Sequence, residues 1–494
     1  MPFQSAIIEL QEARRALRPV DPAAAATTVA QLALEVERTQ KRVEAGIKSS
    51  AADAVVVSKV VALRGAEIVS ELRRTLEQWY RCYAGYDPLF SWWTEAPYQK
   101  ASAALQAYTD LLRERVVGIV SGQDAPIVGD PIGREAILQE LEHEMIDYSP
   151  EQLVTIAERE FAWCEGEMRN AARDMGCGDD WQAALERVKS SHVEPGRQPD
   201  LIRDQAREAT AFVEAHDLLT VPPLARDIWR IEMMSPERQK ESPFFLGGEV
   251  ILVSFPTDAM AHEDKLMSMR GNNEHFARAT VHHELIPGHH LQGFMNDRYA
   301  PHRELFQTPF WTEGWALYFE MLFWDLGFAR SPENRIGMLF WRMHRCARII
   351  FSLGFHLGTM TPQQCTDFLV DRVGHERANA TAEVRRSFGG SYGPLYQVAY
   401  MMGGLQFRAL HHELCDSGKM ANRAFHDAIL QGGPMVRARV EKLRLTRDYR
   451  AQWKFAGSDG GRLDGHHHSA DARGPHDPRQ PRWTCSCRSS RSPP

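Results

Sequence analysis

The chain has 494 residues, of which 43% are hydrophobic and 25% are charged, and these are ordinary values for a folded globular protein. Its 65 acidic and 58 basic side chains give a formal net charge of −7. A nucleic-acid partner is therefore not expected, because a phosphate backbone requires a basic surface. The eight cysteines show no metal-binding or disulfide spacing, which favours reduced thiols in a cytoplasmic protein.

The first half of the chain is predicted to be helical. The N-terminus lacks a cationic segment followed by an apolar core, so no signal peptide is expected. Ser149-Pro150 is a typical helix start. Gly, Asp and Pro residues between 176 and 200 predict turns and loops. Apolar residues recur at helical spacing over residues 24–80, 101–118 and 134–175.

Residues 247–255 form the clearest β-prone run, because Gly247-Gly248 and Pro256 bound a series of β-branched and aromatic residues. Two interpretations stay open. The run is either an edge strand, to which an extended substrate adds main-chain hydrogen bonds, or a buried strand of a small sheet with no substrate role.

The segment from His282 to His290 contains four histidines and one glutamate, and it predicts a zinc site. A catalytic zinc ion takes three protein ligands and a water whose pKa it lowers to about 7, and Glu284 beside His283 is placed to accept the water's proton. The usual spacing is His-Glu-x-x-His, but Pro287 occupies the position of the second histidine. His289 and His290 are therefore the candidate second ligands.

Pro287-Gly288 is expected to widen or break the helix that carries His283. Residues seven apart on an undistorted helix lie about 10 Å apart along its axis, too far to share one ion. A loop at Pro-Gly would return His289 to His283, so His289 is preferred and His290 is the alternative. His282 is expected to support the site or to pack against it.

Glu313 is the candidate third ligand. It stands early in a strongly apolar run from Phe310 to Phe319, where a buried carboxylate requires a cation or metal. Gly314 and Ala316 would allow this helix to approach the His283 helix closely. The alternative is that Glu313 only favours a helix N-terminus after Thr312.

More helices are predicted downstream. Arg342, Arg345 and Arg348 share one of them, and a solvated or salt-bridged face is favoured over contact with a substrate carboxylate.

Gly389–Gly393 matches the Gly-x-Ser-x-Gly nucleophile elbow around Ser391, but the preceding residues read as helix rather than strand. Uncharged stretches at 349–366 and 387–407 are not apolar throughout, so no membrane span is expected. The helices are predicted at about 273–295, 310–328, 333–358, 361–373, 377–387 and 393–416.

The chain resembles the bacterial "domain of unknown function 885" family, which is regarded as gluzincin-like zinc peptidases. The pattern His-Glu-x-x-Pro-Gly-His followed by Trp-Thr-Glu-Gly-Trp-Ala-Leu-Tyr carries the resemblance, and further similar segments extend it over roughly residues 140 to 420. These segments include Ser149–Leu153, Val221–Pro223, Ala378–Val384 and Gln397–Gly403.

The resemblance implies zinc ligands at His283, His289 and Glu313, and a general base at Glu284. The segment Gln397–Gly403 is similar to the tyrosine-bearing helix of related zinc peptidases, so Tyr400 is the candidate donor to the developing oxyanion. A tyrosine among apolar residues at helical spacing also fits a core position with a satisfied hydroxyl.

The expected fold is mainly α, a large helical gluzincin-like metallopeptidase fold with a small β-sheet near the active-site cleft. The expected function is Zn2+-dependent hydrolysis of peptides. The alternative is a metal-binding helical protein, or a zinc hydrolase of non-peptide amides. The predicted regions are an N-terminal helical region at 1–125, a helical region with loops at 126–220, a catalytic region at 221–456 and a disordered tail at 457–494.

Overall fold

Helices dominate the structure, as predicted. The computed structural model describes residues 1–434 apart from 49–53, 121, 123–124, 240–243, 245–246 and 391. In the first half of the chain the α-helices are α1 Gln4–Arg15, α2 Pro22–Lys48, α3 Lys59–Tyr83, α4 Pro88–Asp110, α5 Gly133–His143, α6 Pro150–Asp174, α7 Trp181–Lys189 and α8 Gln198–Ala215.

The second half continues with short and long helices. The α-helices are α9 Pro223–Ile228, α10 Pro236–Gln239, α11 His262–Gly271, α12 Glu274–Glu284, α13 His289–Tyr299, α14 Pro309–Asp325, α15 Pro332–His356, α16 Pro362–Phe368, α17 Arg377–Phe388, α18 Tyr396–His411 and α19 Asn422–Gly432. A 3-10 turn lies at Pro301–Phe306, and π-helical segments continue α4, α16 and α18 over Leu111–Val117, Leu369–Val373 and His412–Asp416.

The N-terminal helices enclose an apolar cluster whose buried members run from Phe3 to Val117. Its centre is aromatic, with the Trp79 and Phe90 rings 5.3 Å apart in an edge-to-face contact. All described residues belong to one compact unit. The predicted boundaries at 125 and 220 stay predictions, and the predicted tail at 457–494 lies outside the described residues.

Helix α6 begins where the sequence predicted, at Pro150. The Ser149 hydroxyl accepts a hydrogen bond from the Gln152 amide, and the Ser149 amide donates to the Gln152 side chain. This reciprocal capping box satisfies amide groups that a helix N-terminus would otherwise leave unpaired. It fixes the start of the helix that packs along α15.

Two strands form a small parallel sheet. The strand β1, Arg230–Met233, pairs with β2, Val250–Val253, with Arg230 opposite Val250. The β-prone run therefore forms a strand, although a shorter one than 247–255. Ile251 and Val253 are buried against the apolar side of α12, so the sheet lies beside the helix that carries His283.

One local prediction was wrong, and one strand was not predicted. The segment 176–200, expected to be turns and loops, contains α7, whose Trp181, Leu185 and Val188 recur at helical spacing after an Asp180 cap. The strand β1 was not predicted, because four mostly exposed residues give too short a pattern. In the part of the chain that is described, no helix is both long and apolar enough to cross a bilayer.

Candidate metal centre

The helix carrying His283 is broken at the Pro-Gly step. Helix α12 ends at Glu284, the Ile286–Pro287 peptide bond is cis, and α13 begins at His289. The Gly288 amide donates to the His282 carbonyl over 3.0 Å, which turns the chain back on itself. The predicted break is therefore confirmed, and it brings His289 beside His283, with ring centroids 4.7 Å apart.

Gly288 is required by this turn, and we expect Gly288→Ala to lower both thermal stability and metal content. A Cβ at residue 288 would lie 1.7 Å from the His283 carbonyl oxygen, so the loop would have to move and take His289 with it. Gly293→Ala in α13 is the matched control, because a Cβ there meets no atom within 4 Å. Equal melting temperatures and zinc contents for the two variants would contradict this assignment.

Three predicted ligands meet at one point. Helix α14 carries Glu313, whose Oε2 lies 3.5 Å from His283 Nε2 and 3.2 Å from His289 Nε2. The three ligand atoms all lie within 4.8 Å of one another. His283 and Glu313 are buried, whereas the His289 side chain keeps 15% of its surface exposed.

This donor set fits a zinc ion. Tetrahedral ligands at bond lengths of about 2.0–2.1 Å lie about 3.3 Å from each other, close to both measured His–Glu distances. Glu313 Oε2 is buried without a hydrogen-bond partner in the described structure. A buried carboxylate oxygen without a donor is costly, and a metal ion would compensate it. Two imidazoles and one carboxylate are also a common catalytic zinc set.

The alternative interpretation of Glu313, that it only favours a helix N-terminus after Thr312, requires α14 to begin at Thr312. The helix begins earlier. Thr308, rather than Thr312, caps the helix by accepting from the Phe310 amide. Glu313 is the fifth residue of α14, beyond its first turn, so a role at the helix N-terminus does not account for it.

Gly314 of α14 acts differently from the prediction. Gly314 faces α18 rather than α12, since a Cβ at residue 314 would lie 2.6 Å from the Gly403 backbone. The contact of α14 with the broken segment is made by Trp315, whose indole N–H donates to the Pro287 carbonyl over 2.8 Å. The same helix therefore carries Glu313 and holds the turn that places His289.

Glu320 stands behind His283 and was not predicted. His283 Nδ1 donates to Glu320 Oε1 over 2.7 Å, and Arg345 lies 3.5 Å from the same oxygen. This bond leaves His283 Nε2 directed at Glu313. Burial alone would lower the pKa of His283, but Glu313 and Glu320 outweigh it and raise that pKa to about 9. The site therefore attracts a cation.

We expect Glu320→Gln to weaken zinc binding roughly 10- to 100-fold, because the imidazole loses the carboxylate that orients it and increases its basicity. Competition with a chelator of known affinity measures the change. The exposed Glu304→Gln in the 3-10 turn is the control, and it should bind zinc as the parent does. Unchanged affinity in Glu320→Gln would show that the carboxylate does not support the ligand.

Glu284 lies at the end of α12 and is 8% exposed. Burial raises its pKa, and the nearby His289 and His283 oppose that shift. Gly247, just before β2, lies directly over it: a Cβ at residue 247 would be 2.2 Å from Glu284 Oε2. The segment before β2 therefore approaches the predicted general base, a contact that the sequence pattern did not indicate.

Two tyrosines of α18 lie at the cluster. The Tyr400 ring is nearly parallel to the His283 ring, with centroids 6.2 Å apart, and burial raises its pKa to about 12. The residue that touches a ligand directly is Tyr396, whose hydroxyl donates to Glu313 Oε1. Sequence reasoning selected only Tyr400, although Tyr396 stands four residues earlier on the same helical face.

The remaining histidines of the motif point away from the cluster. His290 Nε2 donates to the Ala225 carbonyl over 2.6 Å, so it is not part of the three-ligand group. His282 is fully buried beside Phe323, with ring centroids 4.6 Å apart, and burial lowers its pKa to about 3. Its ring contacts are with Phe323 and Phe328, and its predicted support of the site stays a prediction.

The three arginines of α15 form a buried, salt-bridged face rather than a solvated one. Arg342 pairs with Glu160 over 2.8 Å, and Arg348 pairs with Glu383 over 2.7 Å. Arg345 is the residue paired with Glu320. Ser391, the candidate nucleophile of the Gly-x-Ser-x-Gly interpretation, lies outside the described residues.

Fold and cluster together define a mainly helical protein with a buried two-histidine, one-glutamate centre. The chain belongs to the family described as "Bacterial protein of unknown function (DUF885)", whose model matches residues 3–442. No curated protein matches the chain. The family that the sequence motifs indicated is therefore confirmed.

Solved structures show a similar fold. A candidate lipoprotein of unknown function from Shewanella oneidensis is similar with a TM-score of 0.64 and 18% identity, covering 86% of this chain and 83% of that one. A candidate lipoprotein from Colwellia psychrerythraea is similar with a TM-score of 0.56 and 19% identity, covering 82% and 74%. At these identities the likeness shows the fold alone.

Proposed function

We propose that the chain is a gluzincin-like, zinc-dependent peptidase. The observation that carries the proposal is the convergence of His283, His289 and Glu313 on one point, next to the buried carboxylate of Glu284. Zinc held by these three residues would supply a Lewis acid and an acidified water. A metal-binding protein without chemistry would not require a further buried carboxylate beside the three ligands.

The residues of the chain divide the remaining work. Glu284 would accept the proton of the attacking water and return it to the leaving amine, and burial raises its pKa, which favours its holding the proton between the two transfers. Tyr400 keeps its proton, because its pKa is about 12, and would donate a hydrogen bond to the developing oxyanion. Glu320 and Tyr396 would orient His283 and Glu313.

The small sheet offers a place for the substrate main chain. In the described structure β2 pairs only with β1, and its other edge is free of strand partners. Ile251 and Val253 pack on the apolar side of α12, so the strand is fixed beside the helix of His283 and Glu284. An extended peptide would add to this edge by main-chain hydrogen bonds.

Metal analysis combined with product analysis tests the proposal. The purified full chain should contain about one zinc per molecule and should cleave a mixed peptide library, with activity lost on chelation and restored by zinc. Mass spectrometry of the products would separate aminopeptidase, carboxypeptidase and endopeptidase action. Zinc bound with no peptide cleaved would favour a binding protein or a hydrolase of non-peptide amides.

We expect the two tyrosines to separate in a kinetic comparison. Tyr400→Phe should lower kcat about 100-fold while leaving zinc affinity unchanged, because it removes a donor that acts in the transition state. Tyr396→Phe should mainly weaken zinc binding, because it removes the hydrogen bond to Glu313. Kinetics and chelator competition on both variants measure these effects, and a kcat loss confined to Tyr396→Phe would exchange the two roles.

Location stays a prediction from the sequence, which favours the cytoplasm. The two structural relatives bear names that include lipoprotein, and an exported, lipid-anchored protein is the corresponding alternative for this chain. Fractionation of cells expressing the native gene, with a cytoplasmic enzyme as marker, distinguishes the two locations. Recovery with the membranes would overturn the cytoplasmic prediction.

A further inference from the structure

Three guanidinium groups lie against the tyrosine rings of Tyr400 and Tyr392 behind the candidate metal centre. Arg345 and Arg348 on α15 place their Cζ atoms 4.7 and 4.4 Å from its ring centroid. Arg386, on α17, lies beside the neighbouring Tyr392, with its Cζ 5.0 Å from that ring. We call Arg345, Arg348 and Arg386 the arginine cluster.

The guanidiniums of the arginine cluster share their carboxylate partners. Among the described residues, the carboxylates in ion pairs with it are Glu383 and Glu320. Glu383 lies 2.7 Å from Arg348 but 3.9 Å from Arg386, and Glu320 is shared between Arg345 and His283. Three guanidiniums thus share two carboxylates in their ion pairs, and Arg386 has the longest of these pairs.

Several donors of the arginine cluster have no acceptor in the described structure. Nε of Arg345, Nη1 of Arg348 and Nε of Arg386 are buried without a hydrogen-bond partner. Among the described residues, the side-chain hydrogen bond that Arg386 donates is a long one, 3.4 Å, to the Tyr392 hydroxyl. An unpaired buried guanidinium costs free energy, and a carboxylate is the acceptor that its planar donors match best.

The arginine with the longest ion pair is also the most accessible one. The Arg386 side chain is 11% exposed, compared with 3% for Arg348 and 5% for Arg345. The tyrosine rings beside it are partly exposed as well. An anion could therefore reach Arg386, while the other two guanidiniums supply positive potential from behind.

A short path of aromatic contacts connects Arg386 to the metal centre. The Tyr392 ring lies 4.2 Å from the Tyr396 ring, and the Tyr396 hydroxyl donates to Glu313. An extended peptide advances about 3.4 Å per residue. A carboxylate on Arg386 is therefore within the reach of about four residues from a peptide bond at Glu313.

We propose that Arg386 binds the C-terminal carboxylate of the substrate, so that the protein cleaves peptides close to a free C-terminus. This inference rests on the proposed peptidase function. It makes Arg386 a specificity-determining residue. It also gives a role to the guanidinium that α17 places beside Arg345 and Arg348, which already pair with Glu320 and Glu383. The side-chain carboxylate of an acidic residue in the substrate has the same chemistry. The experiment must therefore distinguish it from the C-terminal carboxylate.

Three versions of one peptide provide the test. Two of them share one sequence and end in a free carboxylate or in an amide. The third has glutamate as its last residue and also ends in an amide, so its carboxylate is on the side chain. The parent protein should cleave the free acid with a kcat/KM roughly 10- to 100-fold above both amides, the range of one charge-assisted hydrogen bond. Arg386→Gln should remove this preference by slowing only the free acid, and Arg386→Lys should restore part of it.

Binding supplies a readout that does not depend on turnover. Calorimetry with the Glu284→Gln protein should show tighter binding of the free acid than of the amide, and the added Arg386→Gln change should equalise the two. Arg377→Gln is the matched control, because Arg377 lies on the same helix in an exposed pair with Asp367. It should keep the parent's preference.

The outcomes separate the two proposals. If the zinc-loaded parent cleaves none of the peptides, the peptidase function fails. If it cleaves acid and amide equally, or if Arg386→Gln keeps the preference for the acid, the carboxylate site fails and the peptidase function stands. Preference for the amidated glutamate would assign the site to an acidic side chain instead of the C-terminus. If Arg386→Gln does not fold, equal cleavage of acid and amide by the parent still overturns the carboxylate site, and Arg386→Lys still tests the residue.

Discussion

Glu284→Gln should retain zinc and lose peptidase activity by at least about 100-fold. The amide has the size of the carboxylate but cannot accept a proton at neutral pH, and general-base catalysis typically contributes 10²- to 10⁴-fold. The ligand residues are unchanged, so the metal content should remain that of the parent. Elemental analysis of the dialysed protein and peptide kinetics on the same sample measure both effects.

A second His-Glu pair gives the matched control for this variant. Glu263 follows His262 in the first turn of α11 and is exposed. Glu263→Gln makes the same chemical change away from the cluster and should leave kcat/KM unaltered. Activity of Glu284→Gln within tenfold of the parent would exclude Glu284 as the general base, and loss of its zinc would instead indicate a role in holding the site.

The residues of the candidate metal centre were predictable because the sequence itself brings most of them together. His283, Glu284 and His289 lie within seven residues, and Pro287-Gly288 between them forces a break whose result is the approach of the two imidazoles. Glu313 was identified by its chemistry, since a carboxylate in an apolar aromatic helix requires a compensating cation. The structure places it within 3.5 Å of both rings.

The supporting residues were harder to predict because their roles arise from tertiary packing. Glu320 stands seven residues after Glu313 on α14, and Tyr396 stands four before Tyr400 on α18, so each shares a helical face with a predicted residue. That spacing was a usable signal. The approach of Gly247 to Glu284 has no such signal, because it joins two segments that are distant in sequence.

The helices were predictable from periodicity, whereas their mutual approach was not. Most predicted helix limits agree with the structure within a few residues, since apolar spacing and caps are local properties. The direction in which Gly314 faces depends on tertiary packing and not on local sequence. It allows α14 to contact Gly403 of α18 closely, and no property of α14 alone distinguishes that partner from α12.

Glu383→Gln should be the most destabilising of the substitutions considered, with a loss of about 3–5 kcal/mol in the free energy of unfolding. Glu383 is fully buried, and it forms the closest ion pair of Arg348 and the sole one of Arg386 in the described structure. Burial opposes its ionisation, but Arg348 and Arg386 outweigh this and hold its pKa at about 2. Removing the charge leaves both guanidiniums buried without a counterion.

Urea unfolding at neutral pH measures this loss. Glu158→Gln is the control, because Glu158 pairs with Arg372 at the surface, where such pairs contribute about 0–1 kcal/mol. The pKa of Glu383 is lowered on folding, so its stabilising effect is complete above its unfolded pKa, near 4.5, and disappears as the pH falls toward 2. The stabilities of parent and variant should therefore converge in acid. A constant difference from pH 7 to pH 2 would show that the carboxylate acts through packing and not through its charge.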